Sequence, residues 1–189
     1  MQKIFFISDL HFGHANIMKY SPKYRGFTSA VEMDEYLINL WNETVGNDDI
    51  VYDLGDFAFY REAAKIERVL KRLNGKHRLI LGNHDKMIAN SPSLQSLFDE
   101  ISYYKFFKTD GFKDGVALFH YPIFEWQDAH FGSIHLYGHI HEKTANLHGR
   151  AINACYDFNG RFLERDEVIS MASKLDFSGF LHSKRGDDE

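Results

Sequence analysis

The chain has 189 residues, 44% hydrophobic and 26% charged, enough for one globular domain with a substantial core. A net charge of −5 with no long Lys/Arg run argues against a broad electrostatic footprint for duplex nucleic acid. A single cysteine, Cys155, excludes an intrachain disulfide, and no stretch approaches the roughly 18 apolar residues a membrane helix needs.

Ile4 to Ile7 is an apolar run of strand length that ends at Ser8-Asp9. It meets Asp9 and His11 too early for a signal peptide, so a soluble cytoplasmic protein is expected. Ser29-x-x-Glu32 opens a helix through a capping box, with Met33, Leu37, Leu40 and Trp41 on one apolar face. Asp49 to Leu54 predicts a second strand, stopped by Gly55. Ile66, Val69, Leu70 and Leu73 form another helical stripe, with Gly75 as its C-terminal cap. Arg78 to Leu81 predicts a third strand, and Ser91-Pro92 starts a helix over 92–99. Segments near 101–107, 116–120, 134–137 and 150–155 are short and separated by turn residues, which predicts strands. A last helix is expected at 166–175, with Val168, Ala172 and Leu175 on one face. This gives one α/β domain over 1–175 and a polar extension over 176–189. The 17 Phe and 10 Tyr serve core and surface, leaving a few rings to line a pocket for a base or another flat group.

Polar clusters recur at the ends of predicted strands: Asp9-Leu10-His11, Gly55-Asp56, Gly82-Asn83-His84-Asp85 and Gly138-His139-Ile140-His141. His120 closes the apolar run Val116 to Phe119 in the same way. In α/β sheets, ligands gather outside the carboxyl ends of strands. Residues i and i+2 of an extended chain share a side, so Asp9 with His11, and His139 with His141, each present two donors to one spot. Glycines at 55, 82 and 138 let the loops come close.

In this order, these elements resemble the calcineurin-like metallophosphoesterase superfamily over roughly residues 4–160. The resemblance implies a four-layer αββα sandwich of two mixed β-sheets flanked by helices, with a metal site at the strand C-terminal ends. It implies Asp9, His11 and His141 as ligands of a first ion, Asn83, His120 and His139 as ligands of a second, and Asp56 as the bridge. His84 then acts beside the substrate as proton donor or transition-state stabiliser, oriented by Asp85. The start Asp-x-His-Phe-Gly-His resembles a subgroup of short bacterial and phage members. In this chain His14 is a candidate to contact substrate or brace His11, with loop packing as the alternative reading, and Arg25 to grip a phosphate or make an exposed ion pair. Asp53 is offered as an acceptor for a ligand histidine.

The chemistry agrees with the resemblance. Two ions roughly 3.5–4 Å apart clamp a phosphoryl group and generate hydroxide near neutral pH for in-line attack. A nitrogen and oxygen donor set without thiolate fits manganese, iron, nickel, zinc or magnesium and does not choose among them; manganese is the first expectation. The expected substrate is a small phosphodiester or nucleotide, with no duplex groove and no membrane partner. The alternative is a non-catalytic metal-binding scaffold of the same fold, told apart by turnover.

Overall fold

The computed structural model describes residues 2–178; residues 179–189, which hold most of the expected extension and His182, lie outside the described residues. The chain order is β1 (Ile4–Ile7), α1 (Ile17–Tyr20), α2 (Ala30–Thr44), β2 (Ile50–Asp53), α3 (Ala63–Leu70), β3 (Lys76–Ile80), α4 (Lys86–Ala89), α5 (Pro92–Gln95) and β4 (Glu100–Ser102). There follow β5 (Tyr104–Thr109), β6 (Phe112–Phe119), β7 (Ile134–Tyr137), β8 (Arg150–Asn153), α6 (Tyr156–Asn159), β9 (Leu163–Glu164) and α7 (Arg165–Ala172).

The described strands form two mixed sheets, one ordered β4-β3-β2-β1-β9 and the other β5-β6-β7-β8. In the first, β1 to β4 run parallel and β9 antiparallel. In the second, β6, β7 and β8 run parallel and β5 antiparallel. Alternate residues of β1 show how the layers assemble. Phe5 and Ile7 join the core under α2 and α3, while Phe6 joins the core between the sheets with Tyr52, Ile80, Leu118 and Leu136. A strand buried on both faces is apolar throughout, which explains the unbroken run at Ile4 to Ile7. Val168 and Ala172 of α7 extend the inter-sheet core. The outer face of the second sheet is covered by Trp126 and Ala129 against Ala117.

The capping box forms with a change of partner. Ser29 accepts from Glu32 N, but the Glu32 carboxylate turns back to Thr28, accepting from its N and Oγ1. Ile38 joins Met33, Leu37 and Trp41 in the buried face, while Leu40 is half-buried. The helix expected over 92–99 stops at Gln95, because Asp99 N must bond His77 O to start β4 beside β3. The strand expected near 101–107 is two strands: β4 completes the first sheet and β5 opens the second. The last helix ends at Ala172, and Leu175 lies beyond it, exposed.

His135 on β7 is fully buried against Trp126, and burial pushes its pKa down from 6.5 to about 4. Between those values the unfolded chain takes up a proton that the native imidazole refuses. Native stability therefore falls as pH drops from 6.5 toward 4, by at most on the order of 3 kcal/mol from this group. Urea midpoints measured from pH 7 to 4 should fall less steeply in His135→Gln than in the parent; parallel curves would remove His135 as the cause. The difference between the two proteins isolates His135 from the site histidines, of which His120 and His141 are shifted upward.

Candidate metal centre

The two sheets meet where the polar clusters lie. An isolated parallel bridge joins Ser8, just past β1, to Cys155, just past β8, and Tyr156 N donates to Ser8 O at 2.9 Å. Because β1, β2 and β3 are parallel and in register (Ile7, Asp53 and Leu79 in one row), their following turns emerge at one edge. The turns after β6, β7 and β8 emerge beside them.

At that edge, Asp9, His11 and His141 place their ligand atoms within 4.8 Å of one another, as do Asp56, His120 and His139. The first group draws on both sheets, and so does the second. Asp56 Oδ2 lies 3.5 Å from His120 Nε2 and 3.8 Å from His11 Nε2, between the groups. Asn83 Oδ1 sits 3.1 Å from His120 Nε2, on the second group. The structure thus brings six of the expected residues into two groups, with Asn83 beside the second.

The backbone reason differs from the expectation. Asp9, His11, Asp56, His139 and His141 all have φ between 52° and 72°, in the left-handed region. The paired side chains converge because the chain is coiled through positive φ, not because it is extended. Left-handed conformations of non-glycine residues cost energy and cluster at functional sites. Close approach is decided at two glycines. A Cβ on Gly138 would collide with Ser8 Oγ and Asp9 Oδ2, and one on Gly82 with Asp56 Oδ1.

The residues present fit divalent ions. Asp9 Oδ2 is held by Ser8 Oγ (2.6 Å), His139 N (2.8 Å) and the Cys155 thiol (3.0 Å). Its Oδ1 is buried with no hydrogen-bond partner, and so is His11 Nε2, 3.7 Å away. Two buried polar atoms facing one spot without a protein partner suit a shared cation. Burial pushes Asp9 up, but the imidazoles of His11, His120 and His141 outweigh it and hold the carboxyl well below its usual range. The anionic ligand is therefore ready. His120 Nδ1 donates to Leu54 O at 2.8 Å, which leaves Nε2 for coordination.

Three expectations are corrected. Arg25 neither grips phosphate nor sits exposed: it is 1% exposed, and its Nε and Nη2 donate to Asp157 at 2.5 and 3.2 Å. Its Nη groups also donate to Asp9 O (2.6 Å) and Leu10 O (2.9 Å), bracing the strained turn from behind. Asp85 does not orient His84. Its carboxylate accepts from the N–H groups of Asp56, Phe57 and Gly82, so it shapes the turn that carries Asp56. Burial raises Asp85 to about 6, with the Asp56 charge adding to the rise. Asp53 accepts from Gly55 N and reaches no ligand; burial, then the charges of Asp85, Asp9 and Asp56, drive it well above the carboxylate range. His14 has the bracing geometry, with its Nδ1 3.4 Å from His11 Nδ1 and its ring 3.9 Å from Phe59 at 8°.

Asp157 was missed, although it lies just past a predicted strand end. It is fully buried, and its Oδ2 is 2.7 Å from His141 Nδ1, turning Nε2 toward Asp9. Arg25, Asp157 and His141 form a chain of charge-assisted bonds ending on the group of Asp9, His11 and His141. Asp157→Asn should weaken an ion held there about 10–100-fold, as outer-shell changes typically do, and leave the second ion little affected. Calorimetric titration with Mn²⁺ reads this directly; equal weakening at both sites would count against the assignment.

A fold of two mixed sheets with left-handed turns gathering histidines, carboxylates and an amide at one edge defines a metal-binding α/β sandwich. Residues 2–168 match the family model of calcineurin-like phosphoesterases, and the chain belongs to that family. It is 28% identical to the Gene 66 protein of Mycobacterium phage D29, covering 93% of this chain and 98% of that one. An 87-residue segment is 49% identical to an uncharacterised protein of Methanocaldococcus jannaschii, covering 46% of this chain and 48% of that one. The chain thus spans about half the length of that archaeal relative. A crystal structure of an Aquifex aeolicus protein of unknown function superposes with a TM-score of 0.69 at 26% identity, covering 90% of this chain and all of that one.

Proposed function

We propose that this protein is a phosphoesterase that uses two divalent ions, manganese foremost, to hydrolyse a small phosphodiester or nucleotide. The observation that carries the reading is Asp56, which belongs to one candidate ligand group with His120 and His139 while its Oδ2 lies 3.8 Å from His11 Nε2 of the other, a position that supports a shared ligand. When bound, such a pair supplies Lewis acidity to the phosphoryl oxygens and an activated water. Asp9 and Asp56 are the two anionic ligands and Asn83 is neutral, so the loaded site keeps net positive charge for a phosphate.

His84 stands at the rim, with its side chain 41% exposed and its Nε2 3.9 Å from Asp56 Oδ2. Its own N–H donates to Asp56 Oδ1 at 2.8 Å, which fixes the residue relative to the bridge. This position supports a role for the imidazole in handing a proton to a departing oxygen. Two grooves reach the centre at different residues. One, of about 580 Å³, begins at His139 and His141 and runs by Tyr20 and Lys143; the other, of about 250 Å³, begins at His84. Two separate grooves, one at the ligand histidines and one at His84, support a substrate with two ester arms. Among the described residues no helix is long and apolar enough to cross a membrane.

The test is a panel of diesters, monoesters and duplex DNA at low salt with Mn²⁺, Fe²⁺, Ni²⁺, Zn²⁺ and Mg²⁺. Small diesters should be cleaved fastest and chelation should end turnover. Metal loading with no turnover on any ester would mean a scaffold, and faster cleavage of duplex DNA would overturn the substrate class. Each ion joins both sheets, so loading should also raise Tm. An ion at 100 times its Kd adds about 2.7 kcal/mol per site. An unchanged Tm at saturating Mn²⁺ would argue against the cross-sheet sites.

A further inference from the structure

We infer that the groove beside His84 receives the base of a nucleoside leaving group, and that Phe59 sets this preference. The inference rests on the phosphoesterase reading for its chemistry, but its binding part can be tested without turnover.

The groove wall continues directly from the bridge residue. After Asp56 the chain runs through buried Phe57 and Ala58, bridges Ala58 to Phe12, and bonds Phe59 N to Phe12 O at 2.8 Å. This backbone is fixed by a second strand-end turn, yet the next ring is not buried: Phe59 is 39% exposed. A large apolar ring left in water beside a reaction centre is more informative than one scattered on a surface. Its orientation is also set. His14 stacks parallel on one face of it at 3.9 Å, and the His84 ring is 4.6 Å away at 52°. Tyr60, which lines the same groove, is tied by its hydroxyl to Asp34 of α2, and Asp34 Oδ1 accepts from Gly13 N at 2.8 Å. The loops carrying His14 and Phe59 are thereby clasped together.

The occupant follows from the lining. Ala58, Phe59, Tyr60, His84 and Met87 offer rings, a methyl and a thioether but no carboxylate, and Arg61 adds a cation. Rings and a polarisable sulfur favour a flat π-face. Every base has such a face, so the groove should take any of the four bases with little discrimination. Because His84 opens this groove and is the proton donor, the flat group belongs to the departing alcohol. The retained arm then lies in the other groove, whose Lys143 and Glu142 give it a polar character.

The experiment compares three diesters of thymidine 3′-phosphate with Mn²⁺, the 5′-thymidine, the methyl and the cyclohexyl ester, counting only cleavage of the P–O bond to the esterifying alcohol, which leaves thymidine 3′-phosphate. The parent should favour the dinucleotide over both others in kcat/KM by about tenfold, the order of one base–ring stack. Phe59→Ala should bring the three rates together, while Phe59→Trp keeps the preference. Phe59→Leu, which removes the ring but keeps apolar bulk beside His14, repeats the comparison if Phe59→Ala loses Mn²⁺ affinity. A dinucleotide preference that survives Phe59→Leu and Phe59→Ala overturns the inference. So does a cyclohexyl ester cleaved as well as the dinucleotide, which would mean apolar bulk and not stacking.

Adenosine titration followed by NMR gives the second readout. Adenosine should bind the parent more tightly than ribose does and lose that advantage in Phe59→Ala. If no ester is cleaved but this binding pattern holds, the groove stands and the phosphoesterase reading falls. If diesters are cleaved but adenosine binding ignores Phe59, the groove assignment alone falls.

Discussion

Asp56→Asn should empty both ion sites together and abolish turnover. The amide keeps an oxygen for the His84 N–H, now bonded to Oδ1 at 2.8 Å, so the turn has no reason to open. What changes is the atom at Oδ2, which faces His11 Nε2, His120 Nε2 and His84 Nε2 at 3.5 to 3.9 Å. An NH₂ there is a donor directed at cations and cannot coordinate either ion. Losing a shared ligand should cost each site more than the about 10–100-fold typical of an outer-shell partner. Elemental analysis after gel filtration should find far less metal than in the parent at equal loading. By contrast, changing Asn83 or His120 should empty mainly the second site. Retention of both ions and full turnover in Asp56→Asn would refute the bridge.

His84→Ala should separate chemistry from metal binding. The residue's backbone holds Asp56, but its side chain faces solvent at the rim, so the substitution leaves both ligand groups in place. Loss of an aligned proton donor typically costs roughly 10²–10⁴ in rate. Burial pushes the imidazole pKa down, as do the His11 and His120 charges, while Asp56 and Asp9 oppose that shift. The loss should be steep for an alkoxide leaving group and small for nitrophenolate, which departs without a proton. Equal losses for both would assign His84 to charge on the phosphoryl oxygens, and unchanged rates with both would remove it from the mechanism. Asp85→Asn should behave differently from a mild His84 variant. Asp85 receives three backbone N–H bonds in the turn around Asp56, so its change should reach metal affinity as well as rate.

The ligand set was legible in the sequence because ligand chemistry restricts residue type, and parallel strands deliver their C-terminal ends to one edge. Strand-end position and spacing picked out the polar clusters, and the resemblance to the calcineurin-like family implied Asp9, His11, Asp56, Asn83, His120, His139 and His141 as the ligands within them. The strands β1, β2, β3, β6, β7 and β8 and the helices α2, α3 and α7 were likewise encoded locally, in apolar period, caps and turn residues. Three features were not local. The split of 101–107 between two sheets depends on which ladder each residue joins, and hydrophobic pattern is the same for either partner. The pairing of Arg25 with Asp157 crosses 132 positions and joins two burials that no short window contains. The diversion of Asp85 from His84 to three backbone N–H groups depends on how the turns after β2 and β3 abut. The sequence by itself determined which atoms could hold ions and which strands carry them. Tertiary structure alone decided which charges support those atoms, because hydrogen-bond partners are chosen by packing across the chain and not by neighbours along it.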